Sequence, residues 1–473
     1  MSSIDVMLLS PGDLKDDCFK DKEVKGSHTS MPPLGLLYLA QVLHDDGFSV
    51  KVYDQNVTNI KNDDLMEKVI KKLDPKIIGF SMCLHNYFTS VDLIRKVKDW
   101  NPNVITIAGN YTATFYSDKM MGEESKLDYC MRGEAEFNFR DFVNCVLRKK
   151  GDIKDIKGLV YRENGIIKVK DIPPNIKDVD TLPIPDRRLV DFNYKMQRKS
   201  TSIMTSRGCP HNCKFCYFAS IMGKRWRPRS VESIIEELDM LRGQGIREIL
   251  FGDSNSTYFK KRTLKLCSMI KKEKLDEISY FGDVRVDRVD YDILRALAQV
   301  NFGKVLFGIE SGNQRILDYY NKGTTIAQIK QAVKTAQKAK MDVVFGSFIV
   351  GAPDETLDEV INTIKFANKL DLTFSAFQVL STIPISSIYH ELVQKGYKPK
   401  KDDWKGWVFA SDISKEAVPR KRLEALINEG FVRFWKNPLR NLRLVWRSLS
   451  RDIYLQYIFD TIKNTVTGGR AFQ

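Results

Sequence analysis

The chain has 473 residues, about three times a typical single-domain length of ~150, so two or three domains are expected. With 43% apolar and 29% charged residues it is a globular protein and not a disordered one. Lysine and arginine number 75 against 60 acidic residues, and the net charge of +15 favours an anionic partner: nucleic acid, a phosphorylated ligand or a membrane surface. No apolar run approaches the roughly 18 residues of a membrane-spanning helix. Residues 1–10 lack the basic flank and long apolar core of a signal peptide, so a cytoplasmic location is expected. Eight cysteines are too few for a disulfide scaffold in a chain this long, and any clustering among them points to metal or redox chemistry.

Residues 4–9 read as a short apolar strand. Pro33 opens a helix whose apolar face is Leu36, Leu37, Leu39, Ala40 and Leu43. Gly47 ends it, and residues 48–53 alternate as a strand. Strands at 77–82 and 104–108 follow, with a helix between them. This alternation predicts an α/β fold, a Rossmann-like, doubly wound parallel sheet over residues 1–150. Such sheets bind ligands beyond the carboxyl ends of their strands. The turns to watch are therefore Ser10-Pro-Gly12, Asp54-Gln-Asn56, Cys83-Leu-His85, Gly109-Asn-Tyr-Thr-Ala-Thr114 and Arg132-Gly-Glu-Ala-Glu136. Residues 151–199, with prolines at 173, 174, 183 and 185, read as a connecting region with a small hairpin at 158–169.

From residue 200 a strand–helix beat repeats six times. Strands are expected at 202–205, 248–251, 278–282, 304–308, 342–350 and 373–380, separated by helices such as 231–241 and 357–370. Six units over residues 200–400 predict a partial (β/α)6 barrel of the TIM type, with its functional groups at the carboxyl ends of the strands. A helical, basic C-terminal region, 401–473, follows.

The loop after the first barrel strand reads Arg207-Gly-Cys-Pro-His-Asn-Cys-Lys-Phe-Cys-Tyr217. Cys209, Cys213 and Cys216 stand in C-x3-C-x2-C spacing, and three thiolates in one tight loop can hold three irons of a [4Fe–4S] cluster. No fourth cysteine lies nearby, which leaves one iron open. The competing reading is a zinc site completed by His211, although His211 lies between two of the cysteines, away from the usual paired spacing. Cys18, Cys83, Cys130, Cys145 and Cys267 are scattered singly, as small buried hydrophobes are.

The cysteine loop, with Phe215 before its last cysteine, resembles the signature of the radical SAM superfamily. Further segments are similar to that family: Arg225-x-Arg-x-Arg-Ser230, Gly308-Ile-Glu-Ser-Gly312 with Asn321-Lys-Gly-Thr-Thr325, and Phe348-Ile-Val-Gly-Ala-Pro-Asp-Glu-Thr356. Pro32-Pro-Leu-Gly-Leu-Leu-Tyr-Leu-Ala40 and Arg132-Gly-Glu134 resemble the cobalamin-binding domain that precedes the barrel in one large subfamily.

The resemblance implies an enzyme whose open iron chelates S-adenosylmethionine (SAM) and whose reduced cluster cleaves it to methionine and a 5′-deoxyadenosyl radical. It implies SAM-binding roles for Phe215, Gly252, Asp253, Ser254, Arg285, Glu310 and Gly351. Asp253 would accept from the SAM amine, or else cap a helix. Arg285 would pair with the SAM carboxylate, or else form a surface ion pair. Glu310 would meet the ribose or amine, and Gly351 would let the backbone approach the adenosine. Cobalamin, on the same grounds, would lie against Gly109, Asn110, Thr112, Thr114, Gly133 and Glu134, residues that equally suit a structural turn. The Asp-x-His-x-x-Gly signature that gives cobalt a histidine is absent, and His44 and His85 do not stand in such a pattern.

Three functions compete. The first is cobalamin-dependent methylation of an unactivated carbon, with one SAM supplying the methyl group and a second the radical. The second uses the same cluster for cyclisation, oxidation or carbon–carbon coupling of a hydrophobic or lipid-like substrate. The third is a non-catalytic metal-binding or redox-sensing protein. The expected partners are a small-molecule or lipid-like substrate and a flavodoxin- or ferredoxin-type electron donor, in an anaerobic setting. Nucleic acid is not expected, since no RNA-binding module is visible. Residues 431–451 carry six basic residues and no acidic one, interleaved with Phe434, Trp435 and Trp446. That pattern suits peripheral contact with an anionic membrane, or a helix packed on the barrel with its basic face in solvent. No general acid or base is identifiable.

Overall fold

The computed structural model describes residues 3–12, 31–58, 60–190, 199–406, 408–413 and 417–435. The chain folds as two units, residues 1–202 with 404–406, and the remainder.

The first unit is built on a seven-stranded sheet. Its strands are β1 (Val6–Ser10), β2 (Val50–Asp54), β3 (Ile77–Ser81), β4 (Ile105–Gly109), β5 (Tyr129–Met131), β6 (Leu159–Glu163) and β7 (Ile166–Val169), in the order β2-β1-β3-β4-β5-β6-β7. The first five run parallel. Val6, Met7, Leu8 and Leu9 of β1 are all buried, as befits a parallel strand covered on both faces. The helices Leu34–Asp45 and Glu136–Arg148 close over one core, through Leu36, Leu37, Ala40, Leu43, Phe139, Phe142 and Val143. Because β1 is flanked by β2 on one side and β3 on the other, the strand order reverses there, and a crevice opens beyond their carboxyl ends.

The connecting region does more than connect. Its hairpin, β6 and β7, pairs antiparallel with β5 and extends the same sheet. The turn is Asn164-Gly165, at φ +52° and +78°, the left-handed pair that a two-residue hairpin demands. Trp404, from far along the chain, packs into this unit against Tyr87 and Tyr116.

The second unit holds a six-stranded sheet in consecutive order: β8 (Ser200–Ile203), β11 (Glu248–Phe251), β12 (Ser279–Val284), β13 (Phe302–Glu310), β14 (Val343–Val350) and β15 (Phe374–Val379). β11 to β15 are parallel. A two-residue ladder, β9 (Ser206–Arg207) with β10 (Arg227–Pro228), brackets the cysteine loop. Every expected barrel strand is present, with ends shifted by a few residues. Capping sets where the helices start. Ser230 accepts from the Ser233 N–H, and Thr325/Gln328 and Thr356/Glu359 form reciprocal capping boxes.

The helix Arg420–Trp435 packs on the barrel, with Leu423 and Leu426 against Val350, Val360 and Ile364, and Phe434 buried. The start of the basic 431–451 segment is thus a packed helix. Residues 436–451, on which the membrane reading rests, lie outside the described residues. Among the described residues no helix is long and apolar enough to cross a membrane.

Candidate functional site

All three clustered cysteines lie between β9 and β10. Gly208, at φ +84°, turns the chain out of β9, and a Cβ there would stand 2.1 Å from the Arg225 carbonyl oxygen, so only glycine fits. The Cys209 N–H donates to the Gly223 carbonyl (3.0 Å), and the Cys216 N–H to that of Cys213 (3.0 Å). The turn at 319–322 clasps the loop from the other side. The Lys214 N–H donates to the Tyr320 carbonyl (2.9 Å), Asn321 Nδ2 donates to the Asn212 carbonyl (2.9 Å), and the Phe215 ring meets Tyr320 edge-on. All three thiols are free. Burial pushes the Cys213 thiol up, while Lys322 and Arg285 pull it down; burial also raises Cys216. Metal binding needs the thiolates, so these two cations favour a loaded loop.

Among the described residues, no three His, Cys, Asp or Glu side chains gather as ligands of a single ion. His211 stands apart from any such group. Its Nε2 is buried and unpartnered, and its ring stands near Tyr258. Burial, with Arg285 nearby, lowers its pKa to about 4, so the ring is neutral.

The Gly252-Asp-Ser254 turn holds this loop in place. Asp253, only 2% exposed, accepts from Thr205 N–H (2.7 Å) and Oγ1 (2.5 Å) and from Ser206 N–H (3.2 Å) and Oγ (2.6 Å). Both of its oxygens are engaged within the protein, and it caps no helix. Asp253 fixes the junction of β8 and β9. Ser254 Oγ donates to the Gly208 carbonyl (3.2 Å), and the Gly252 N–H donates to that of Ile203 (2.8 Å).

Arg285 is buried and already paired. It grips Asp287 (2.9 and 3.2 Å), donates to the Lys322 carbonyl (2.7 Å) and stands 4.0 Å from Cys213 Sγ. The expected surface pair is thus an interior one, and it braces the wall of the cluster loop. Glu310 ends β13 at φ +67°, where the register with β14 slips in a bulge, and binds Lys322 Nζ at 2.6 Å. Such a backbone costs a non-glycine residue about 1–3 kcal/mol and marks functional sites. Gly308 makes room for the pair, since a Cβ there would lie 2.6 Å from Glu310 Oε1 and 2.9 Å from Lys322 Nζ.

Gly351 turns at φ +88° after β14, and its N–H donates to Glu355 Oε2 (2.6 Å), as does that of Ala352 (3.1 Å). Glu355 is missed by sequence reasoning. It is 1% exposed, its Oε1 is unpartnered, and burial lifts its pKa to about 7. Asp283 is missed too. Its side chain is exposed, and the surrounding protein, with the nearby Glu310 carboxylate, raises its pKa to about 6. The sequence signal for both was only their position near strand ends.

In the first unit, the carboxyl ends of β1, β3 and β4 gather small polar groups. Asn86 Nδ2 donates to the carbonyls of Pro11 (3.3 Å) and Ser81 (3.0 Å). Asn110, at φ +74°, reaches Ser81 Oγ (2.9 Å) and Cys83 Sγ (3.1 Å). A Cβ on Gly109 would meet nothing within 4 Å, and the Thr112 hydroxyl is buried without a partner. Thr114 Oγ1 donates to the Asn110 carbonyl (2.9 Å) and accepts from the Gly133 N–H (3.2 Å). Open space at Gly109 and an unsatisfied hydroxyl at Thr112 fit a bulky, amide-rimmed ligand such as cobalamin. Gly133 joins this group through its bond to Thr114, and both it and Glu134 also contact the connecting region. A Cβ on Gly133 would stand 2.8 Å from Ile172, and Glu134 Oε2 accepts from the Ile176 N–H (2.7 Å), so both secure the connecting region. His44 and His85 are exposed.

Two family descriptions match: "Radical SAM superfamily" over residues 203–367 and "B12 binding domain" over residues 26–143. An uncharacterized methyltransferase of Pyrococcus horikoshii is 34% identical over 444 residues, covering 93% of this chain and 94% of the relative. The chain belongs to the radical SAM superfamily. More closely, this radical SAM protein falls in the branch with an N-terminal B12-binding domain. It is an enzyme, and its cofactors are a [4Fe–4S] cluster, SAM and cobalamin. It is also similar to the anaerobic magnesium-protoporphyrin IX monomethyl ester cyclase of Rubrivivax gelatinosus, 26% identical over 86% of this chain and 74% of the relative. In fold it is similar to the radical SAM methyltransferase TsrM of Kitasatospora setae, solved with cobalamin and a [4Fe–4S] cluster (TM-score 0.71, 18% identity, 83% of this chain and 78% of that one).

Proposed function

We propose that this radical SAM enzyme methylates an unactivated carbon of a small-molecule substrate, with cobalamin as the methyl carrier. One observation carries the reading: a methyltransferase matches this chain over nearly the whole length of both, through the B12-binding sheet and the barrel alike. When bound, the cluster supplies the electron that splits SAM into methionine and a 5′-deoxyadenosyl radical, and cobalamin supplies the methyl group.

The residues divide this work. Cys209, Cys213 and Cys216 would hold three irons and leave the fourth for SAM. Asp253 and Ser254 hold the loop that carries them. Arg285 and Lys322 set positive charge beside Cys213 and favour its thiolate. Phe215 and the Glu310–Lys322 pair would form the wall against which SAM lies, and Gly351 would present bare backbone to the adenosine. Gly109, Asn110, Thr112 and Thr114 would line cobalamin. Residues 1–150 would thus serve cobalamin and 200–400 the cluster and SAM. A flavodoxin- or ferredoxin-type protein would deliver the electron.

The test is product analysis. Reconstituted, cobalamin-loaded enzyme with a low-potential donor is given SAM bearing a deuterated methyl group, together with candidate small molecules. A labelled product, with S-adenosylhomocysteine formed alongside 5′-deoxyadenosine, is expected. 5′-Deoxyadenosine with neither would favour cyclisation or oxidation, the reading that the likeness to the R. gelatinosus cyclase supports.

A further inference from the structure

The middle strand of the barrel wall carries a carboxylate with nothing to balance it. Along β12, Tyr280, Gly282 and Val284 are buried, and a Cβ on Gly282 would strike Ser256 and Phe251. Phe281 and Asp283 alternate with them and face the other way, into the open barrel. Lys304 lies over the Phe281 ring, and Asp283 lies opposite Leu306 in the β12–β13 register. Two residues further on, about 7 Å along an extended strand, Arg285 meets Cys213. Asp283 therefore sits one pleat below the cluster loop.

Each cation around it already has another carboxylate as its partner. Lys322 pairs with Glu310 (2.6 Å), Arg285 with Asp287 (2.9 Å) and Lys304 with Glu248 (2.6 Å). The Asp283 carboxylate has no hydrogen bond or ion pair among the described residues, although its backbone carbonyl accepts from the Ser256 N–H (2.9 Å); Glu310 and Lys322 reach the carboxylate only through space. A carboxylate without a partner of its own attracts a cation, the more so once a bound ligand displaces the water that screens it. SAM carries such a cation, its sulfonium. S-Adenosylhomocysteine has the same adenosine, amine and carboxylate around a neutral thioether.

We propose that Asp283 recognises the sulfonium charge of SAM and gives the barrel its preference for SAM over S-adenosylhomocysteine. The assignment rests on the radical SAM reading. It goes beyond that reading by naming the residue that distinguishes the reactant from the demethylated by-product, which would otherwise compete for the site.

The test is binding, measured anaerobically on cluster-reconstituted enzyme by equilibrium dialysis with SAM and with S-adenosylhomocysteine. Asp283→Asn keeps shape and removes charge. It should weaken SAM about tenfold and leave S-adenosylhomocysteine within about threefold, while Asp283→Glu restores most of the preference. Unchanged SAM affinity in Asp283→Asn, or equal losses for both ligands, would overturn the proposal. Failure of the wild-type enzyme to bind SAM at all would overturn the radical SAM reading itself, and this proposal with it.

Discussion

Glu355 commits one oxygen to two backbone N–H groups and leaves the other buried without a partner, and its pKa stands at about 7 in place of 4.5. A folded-state pKa above the unfolded value means stability that is fully present below about pH 4.5 and is lost as pH rises through about 7. A pKa of about 7 in place of 4.5 corresponds to roughly 3 kcal/mol. Glu355→Gln keeps an acceptor for the Gly351 and Ala352 N–H groups and removes the ionisation. In urea titrations the variant should gain on the wild type by about 3 kcal/mol between about pH 5 and pH 8; a pH-independent difference would contradict the account. Residues of this kind were not legible in the sequence. The three cysteines were, because their chemistry is local: three thiols within eight residues define a site by themselves. The partners that Asp253 and Arg285 have within the protein were not legible, since Thr205 and Lys322 reach them only through the fold, from 48 and 37 residues away. Glu355 and Asp283 depend wholly on what packs around them, which spacing does not encode.

At the scale of elements, turns decide where chemistry can sit. The hairpin at 158–169 was readable; its Asn164-Gly165 turn and the capping boxes at Thr325 and Thr356, which went unnamed, use residue types tied to one backbone geometry. The docking of that hairpin on β5 was not readable, because an edge strand does not announce its neighbour. Nor was the bulge that holds Glu310 at positive φ, for Gly308-Ile-Glu-Ser-Gly312 also suits an unbroken strand end. Gly208 is the critical turn of the cluster loop. Gly208→Ala forces a Cβ into the Arg225 carbonyl and should cost about 3 kcal/mol, with iron lost from the reconstituted protein. Gly165→Ala is the control. Its φ is similar, at +78°, yet nothing lies within 4 Å, so it should cost about 1 kcal/mol and keep its iron. Full iron content in Gly208→Ala would show that the turn does not hold the loop.

At the scale of the whole molecule, the chain joins a B12-type sheet and a radical SAM barrel, and each presents its functional groups beyond the carboxyl ends of its strands. That rule directed attention to the turns after the strands, while the cysteine spacing and the family resemblance named the residues. The substrate leaves no comparable mark, because its contacts come from side chains of many strands and loops and follow no spacing. The central claim is that one chain carries both an iron–sulfur cluster and cobalamin. Its most direct test is the metal content of protein purified anaerobically, reconstituted with iron and sulfide, and incubated with hydroxocobalamin. About four irons and one cobalt per chain are predicted. Iron without cobalt would contradict the cobalamin assignment, and zinc in place of iron would contradict the account as a whole.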